Sequence, residues 1–379
     1  MLHVAIDARL PDAGQGGVLS VVKAMAAAFK EHGADIRRTW VVAKQATWWR
    51  GSLPDGDSTL EVSVPAGSVA AKLPTLSSRL APAVLRVIGD RNYLDAAFQE
   101  ARIDVVHLPY QDGVRTALPF VYFPHDLQHV HLPSNFTLAQ IQHRETRWRR
   151  RAQEACGVVA AGPHVKRDLV EYWDVDPQKI SVFPFPPARK PAPAEVSPYA
   201  FTEPFIIYPA VFWPHKNHRA LIEAFSLVRS RGQKIRLVLT GAKNTAFIST
   251  MRRAAELGVD EHVHYFGHVS ESELGRLIAD SRAVVIPSLF EAVSLTAFDA
   301  MNLNRPIVCS DREFFRYQCA DNATYFDPQS PESMADAIVS VLSTPGGRIH
   351  LANPRSSHPA LSLGAFAANL CHVYESCAR

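Results

Sequence analysis

Apolar residues follow two rhythms along this chain. Short β-branched runs without polar alternation occur at His3–Ile6, Ile36–Val42, Val105–Leu108, Phe120–Phe123, Val158–Ala160 and Ile180–Phe183. A second set follows at Phe205–Tyr208, Ile235–Leu239, Val263–Phe266, Ala283–Ile286, Pro306–Val308 and Thr324–Phe326. Uninterrupted apolar runs suit strands covered on both faces, as in parallel sheets. Helical periods lie between them. In the first, Val18, Val21, Val22, Met25 and Phe29 form one core-facing stripe. Further helices are predicted over Leu138–Ala155, Pro163–Trp173, Asn217–Arg231, Asn244–Leu257, Glu271–Asp280, Val293–Asn302, Pro331–Leu342 and Leu363–Ser376. Strands alternating with helices predict an α/β architecture with parallel sheets.

Proline marks a division within the 379 residues. Nine of the 27 prolines fall between Pro184 and Pro214, and Phe185–Pro204 has no strand or helix period. The reading is a Rossmann-like domain over 1–185, a linker over 186–204, a second Rossmann-like domain over 205–360 and a C-terminal helix over 361–379. The stretch Trp48–Arg79, rich in Gly, Ser and Pro, reads as a long excursion from the first domain. The opening MLHVAIDARL is broken by Asp7 and Arg9, so it reads as a buried strand rather than a signal peptide.

Composition narrows the classes. The chain is 47% apolar and 20% charged, too apolar for a disordered protein. Forty basic against 37 acidic residues leave +3, too small an excess to argue nucleic-acid binding. Five cysteines without a C-x-x-C pair predict free thiols, a reducing cytosol, and neither a disulfide framework nor a zinc knuckle. No stretch approaches the ~18 apolar residues of a helical membrane span. The basic segment HRETRWRRR, His143–Arg151, has two readings: a solvated helix face, or a contact with anionic lipid at the inner face of the cell membrane.

Four segments could carry chemistry. Gly14-Gln15-Gly16-Gly17 joins the first strand to the first helix, where glycine allows close backbone approach and a helix start offers N–H groups to an anion. Its spacing is not G-x-G-x-x-G, which disfavours an NAD-dependent oxidoreductase. FPHDLQHVHLP, Phe123–Pro133, follows a strand end, where ligands of open α/β sheets bind. Its His125, His129 and His131 beside Asp126 read as sugar-pocket side chains or, with less support, as metal ligands. In YPAVFWPHKNHRALIEAF, Tyr208–Phe225, Lys216 stands at a helix start where a phosphate can sit. In VVIPSLFEAVSLTAFDAMNLNRPIVCSD, Val284–Asp311, Glu291 lies in the turn and Asp299 just over two helical turns further.

These motifs resemble retaining glycosyltransferase family four, whose members have the GT-B fold of two Rossmann-like domains facing across a cleft. The family motif Pro-Ser-x-x-Glu-Gly-x-Gly-Leu with a second Glu eight residues on is matched by Pro287, Ser288, Glu291 and Leu295. VHYFGHV, NATYFDP and AAGPHVKRDLVEYWDVDPQKISVFP also look like the family. The resemblance implies that His125 lies near the donor sugar, Lys216 contacts the diphosphate, Glu291 meets sugar hydroxyls and Asp299 binds the ribose. It further implies donor-binding roles for Gly16, Gly17, Arg219, Gly241, His268, Ala292, Val293, Ser294 and Leu295, no metal, no cofactor, and a C-terminal helix that returns to the first domain. The strings FWPHKNH and HDLQH look like a subgroup of bacterial polysaccharide mannosyl- or rhamnosyltransferases. Implied partners are a nucleotide sugar such as GDP-mannose and a saccharide acceptor, lipid-linked where the protein meets the membrane.

Three departures stand out. The motif glycines are Ala292 and Ser294, the second Glu is Asp299, and the arginine preceding the lysine is Val211. His215, Arg219 or Lys216 itself is expected to take over the missing charge. Two other classes stay open at this point: a sugar-nucleotide epimerase of the same fold, and a non-catalytic nucleotide-sugar or glycan-binding module.

Overall fold

The computed structural model describes residues 1–12, 16–33, 35–63, 94–184, 201, 203–344 and 362–379. The strands are β1 (His3–Ala8), β2 (Arg37–Ala43), β3 (Ser58–Val62), β4 (Val105–Leu108), β5 (Phe120–Tyr122), β6 (Gly157–Ala160) and β7 (Ile180–Val182), followed by β8 (Phe205–Pro209), β9 (Arg236–Thr240), β10 (Val263–Tyr265), β11 (Ala283–Ile286), β12 (Ile307–Ser310) and β13 (Thr324–Phe326). The helices are α1 (Gly16–His32), α2 (Asp95–Glu100), α3 (Gln128–His131), α4 (Leu138–His143), α5 (Arg149–Glu154), α6 (Pro163–Trp173), α7 (His218–Ser230), α8 (Phe247–Glu256), α9 (Glu271–Asp280), α10 (Leu295–Asn302), α11 (Glu313–Cys319), α12 (Pro331–Ser343) and α13 (Leu363–Ala378).

The strands form a seven-stranded sheet in the order β3-β2-β1-β4-β5-β6-β7 and a six-stranded sheet in the order β10-β9-β8-β11-β12-β13. Every pairing among the described residues is parallel. The order reverses between β1 and β4 in the first sheet and between β8 and β11 in the second. In such sheets a crevice opens at the carboxyl ends of the two diverging strands. This is the GT-B arrangement.

Each sheet is buried because helices cover it. The α1 stripe packs Val21, Val22, Met25 and Phe29 against Val4 and Ile6 of β1, whereas Ala5, pointing the other way, joins Val106, Tyr122, Leu169 and Trp173. The second domain has its own core, built from Ile206, Phe225, Leu237, Val285 and Ile338 among others. Helix α13 returns to the first domain: Phe366, Leu370, Val373 and Tyr374 join the α1 core, and the buried Tyr374 hydroxyl meets His107 Nδ1 at 2.6 Å.

Four differences from the sequence reading have physical causes. Strand β3 lies inside the stretch read as an excursion; Ser-Thr-Leu-Glu-Val is a mostly exposed edge strand, so it lacks a buried strand's apolar run. Residues 64–79 of that stretch, and nearly all of the proline-rich segment 186–204, lie outside the described residues. The helix expected over Leu138–Ala155 is interrupted by a π turn at Arg144–Trp148, where the Arg144 guanidinium lies 4.3 Å from the ring centres of both Phe136 and Trp148. The free-thiol expectation fails for one pair: Cys156 is disulfide-bonded to Cys377, 221 residues away, with Cα atoms 5.4 Å apart. A Cβ on the neighbouring Gly157 would lie 2.9 Å from Val373 Cγ1, so glycine there lets α13 approach closely enough for the bond. Cys309, Cys319 and Cys371 are free.

Candidate functional site

The two strands that diverge in the second sheet deliver two charges to one point. After β8 the chain runs through Pro214–Lys216, a single 3-10 turn, and enters α7 with Asn217 in the left-handed region at φ 58°. After β11 it runs through Pro287–Ser294 into α10. Tyr208 ties these loops together: its hydroxyl donates to the Lys216 carbonyl at 3.1 Å and lies 3.0 Å from Ser288 Oγ. The Leu289 N–H donates to the His215 carbonyl at 2.8 Å. So fixed, Lys216 Nζ forms an ion pair with Glu291 Oε1, with side chains only 21% and 10% exposed. The sequence reading named both residues but did not foresee that they pair with each other.

His215 adds no charge. Burial and the neighbouring ammonium of Lys216 push its pKa down to about 4, so it is neutral near pH 7. Arg219 does not turn toward the pair either. It is 66% exposed and leans along α7 to Glu223 at 3.5 Å, a carboxylate that Arg253 also holds at 2.8 Å. The charge expected from His215 or Arg219 in place of Val211 is absent, and Lys216 stands alone at this spot among these candidates.

The first domain presents His125 and Asp126 after β5. His125 is buried, holds φ 67°, and stacks on Phe123 with ring centres 4.3 Å apart. Its Nε2 lies 2.9 Å from the Pro109 carbonyl, so Nε2 bears the proton. Burial lowers its pKa and keeps the ring neutral. A non-glycine residue held at positive φ is a local strain of the kind that collects at functional sites. Asp126 bears electrostatically on both His164 and His215.

The histidines of this loop do not converge. His129 pairs with Glu145 at 2.6 Å and His131 with Asp168 at 2.7 Å. Among the described residues no three His, Cys, Asp or Glu side chains gather as a metal site. Two Asp-x-Asp strings have other partners: Asp57 binds Arg38 and Trp40, Asp174 binds Arg149, and Asp176 caps the turn at Gln178. The basic run is likewise largely occupied within the fold, with Arg144 near Asp126, Arg150 on Glu154, and Arg151 on the carbonyls of Gln111 and Gly113.

The remaining predicted residues lie on several elements. Gly16 and Gly17 open α1, and a Cβ on Gly17 would meet nothing within 4 Å; Gly14 and Gln15 lie outside the described residues. Ala292, Val293 and Leu295 are half-buried and rest against the apolar cluster that α1 helps to build. Ser294 departs from the expected role. Its N–H donates to Gln318 Oε1 at 2.9 Å, its carbonyl accepts from Gln318 Nε2 at 2.6 Å, and its hydroxyl caps α10 at Ala297. That amide is engaged and does not face a phosphate. Asp299 is half-buried one turn after Thr296, whose hydroxyl reaches the Pro209 carbonyl at the end of β8. Sequence reasoning missed Gln318, which holds the Ser294 backbone, and His164, which donates to the Glu291 carbonyl.

Gly241 and His268 sit on the rim beyond β9 and β10. The Gly241 N–H donates to the Gly267 carbonyl at 2.7 Å, next to the exposed His268. Gly241 has φ 117°, and a Cβ there would run into the Ala210 carbonyl. Gly241→Ala is therefore expected to cost about 2–4 kcal/mol, from backbone strain plus overlap. Denaturant unfolding measures this, and a loss below ~0.5 kcal/mol would show that the rim rearranges freely.

Comparison with known proteins agrees with this fold. The family model described as Glycosyltransferase Family 4 matches residues 15–185, and the one described as Glycosyl transferases group 1 matches residues 195–354. The O-antigen chain mannosyltransferase RfbU of Salmonella typhimurium is 24% identical over 181 residues, 48% of this chain and 49% of that protein. The chain thus spans about half the length of such curated relatives. A glycosyltransferase structure from Rickettsia africae superposes with a TM-score of 0.68 at 16% identity, covering 99% of this chain and 98% of that one. Anabaena HepE, solved with UDP and glucose, gives 0.68 at 14% identity, covering 98% of this chain and 100% of that one. With one model on each sheet and the same fold throughout, the chain belongs to the family four glycosyltransferases of the GT-B fold, with a group 1 domain as its second half.

Proposed function

We propose that the protein is a retaining glycosyltransferase that moves a hexose or deoxyhexose, mannose from GDP-mannose or rhamnose foremost, onto a saccharide acceptor of a cell-surface polysaccharide. One observation carries this reading: Lys216 and Glu291 meet at the point where β8 and β11 diverge. A glycosyl donor breaks at its anomeric carbon while the diphosphate gains charge, and fixed positive potential there lowers the barrier. Lys216 supplies that charge, with N–H groups at the start of α1. Glu291 accepts hydrogen bonds from sugar hydroxyls, and Asp299 from the ribose. Retention follows if the acceptor attacks on the face that the phosphate leaves, with the phosphate oxygen taking the acceptor proton. The mannose preference rests on the name of the relative RfbU and on the strings FWPHKNH and HDLQH.

A thermal-shift screen against GDP-, UDP-, ADP- and dTDP-sugars tests the donor. A ligand at 100 times its Kd stabilises the fold by about 2.7 kcal/mol. Selective stabilisation by one base, followed by acceptor-dependent release of its nucleoside diphosphate, is the expected result. An altered sugar formed without acceptor would indicate an epimerase, and binding without turnover a binding module. No stabilisation by any donor would overturn the reading. Within it, Asp299→Asn should weaken nucleotide affinity about tenfold, because hydrogen bonds to a charged acceptor are worth roughly 1.5–3 kcal/mol. Calorimetry with the selected nucleotide decides, and wild-type affinity would reduce Asp299 to a helix-surface acid.

A further inference from the structure

The first domain also grips the backbone that carries Glu291. Helix α6 starts at Gly162-Pro163, and His164 on its first turn is 5% exposed. Its Nε2 lies 3.2 Å from the Glu291 carbonyl oxygen. A carbonyl only accepts, so Nε2 is the donor, a role the neutral Nε2–H form can fill. Burial, which lowers the pKa of this ring, favours that form. The ring occupies space that only glycine leaves open: a Cβ on Gly162 would come within 2.8 Å of both His164 Cε1 and Nδ1.

Neighbouring contacts brace the same place. Arg167, one turn along α6, bonds Glu313 of α11 through both guanidinium nitrogens, at 3.0 and 2.7 Å. The Phe314 ring lies 5.9 Å from that of His164 and 6.1 Å from that of Phe290. On the other side His131, oriented by Asp168, stacks on Phe290 at 5.2 Å with planes 26° apart. Residues 290 and 291 of the second domain are thus held by groups of the first. The Glu291 side chain is fixed at its far end by Lys216, and its peptide is fixed by His164.

We propose that His164 is a positioning residue: its hydrogen bond to the Glu291 carbonyl sets the peptide from which the carboxylate is aimed, so that Glu291 is placed for the sugar only while the two domains are in contact. The catalytic part of this statement rests on the reading of Glu291 given above; the positioning part does not. His131 and Phe290 seat the turn laterally, and Arg167 with Glu313 holds α6 against α11.

The test compares wild type with His164→Ala, His164→Gln and Gly162→Ala. Glutamine keeps an N–H donor at similar reach, whereas Gly162→Ala crowds the imidazole and leaves it intact. Hydrogen exchange over Ser288–Ser294 reads the positioning directly. Loss of one hydrogen bond should raise exchange there about tenfold in His164→Ala and in Gly162→Ala, with His164→Gln near wild type. Turnover should fall about tenfold in the same two variants, while GDP and UDP affinity by calorimetry stays within about twofold. Unchanged exchange in a folded His164→Ala would overturn the inference, as would glutamine behaving no better than alanine. If His164→Ala does not fold, Gly162→Ala and His164→Gln carry the same comparison. If the wild type transfers no sugar from any donor, the proposed function fails, and exchange alone decides the positioning.

Discussion

Replacing Lys216 by methionine is expected to lower turnover by about 10²–10³-fold, the usual effect of removing one fixed donor aimed at charge that develops in a transition state. The expectation is strong here because the arginine that usually shares this task is Val211, His215 is held neutral, and Arg219 is turned toward Glu223. Methionine fills a similar volume without charge, so the loop keeps its packing. The variant also leaves Glu291 without its partner at a position only 10% exposed, and an unpaired carboxylate in poor solvent is destabilising. Unfolding is therefore measured beside initial rates, to separate lost charge from lost fold. On the proposed reading nucleoside diphosphate affinity should drop as well, since the lysine would meet the diphosphate before and during bond cleavage. Lys216→Arg restores the charge but not the reach, and should fall between the two. The assays are run with a chelator present. Full activity in Lys216→Met, or activity in wild type only with Mg²⁺ or Mn²⁺, would remove Lys216 from this role.

Much of the fold was legible because its strands are buried on both faces. Most of them are predominantly apolar runs, and three, Val105–Leu108, Ala283–Ile286 and Thr324–Phe326, have the same bounds in sequence and structure. Strand β3 escaped because an exposed edge strand has no such run, only the alternation of Ser58 to Val62. The π turn escaped because Arg144, Glu145 and Thr146 satisfy a helical pattern; what breaks the helix is Arg144 settling between two aromatic rings. Cys156 and Cys377 gave no local signal, since partners 221 residues apart are brought together by α13 crossing back to the first domain.

The site was legible where a charged residue follows a strand end. Lys216 and Glu291 satisfy that rule together, because β8 and β11 are neighbours at the point where strand order reverses. Histidine density was a poorer guide. His125, His129 and His131 lie within seven residues, yet one donates to a carbonyl and the other two pair with separate carboxylates. Contacts made through backbone atoms could not be read at all. Gln318 occupies both the amide and the carbonyl of Ser294, and His164 holds the carbonyl of Glu291; neither pairing leaves a trace in residue type or spacing.

Glu291→Gln should separate binding from turnover in opposite directions. In the structure the Glu291 carboxylate neutralises Lys216, so it competes with any diphosphate for that ammonium and repels it. Glutamine keeps the shape and can still hydrogen-bond sugar hydroxyls, but it removes the charge. Free GDP or UDP should therefore bind as tightly as to wild type or about two- to fivefold more tightly, a gain of up to ~1 kcal/mol. Transfer should nevertheless fall by about 10²-fold, because a carboxylate is the stronger acceptor for hydroxyl groups on a sugar ring that becomes electron-poor as the anomeric bond breaks. Binding is read by calorimetry and turnover by initial rates at saturating donor. If nucleotide affinity and turnover fall together, Glu291 serves the nucleotide rather than the sugar. If affinity rises and turnover is unchanged, the carboxylate acts only as the resting partner of Lys216.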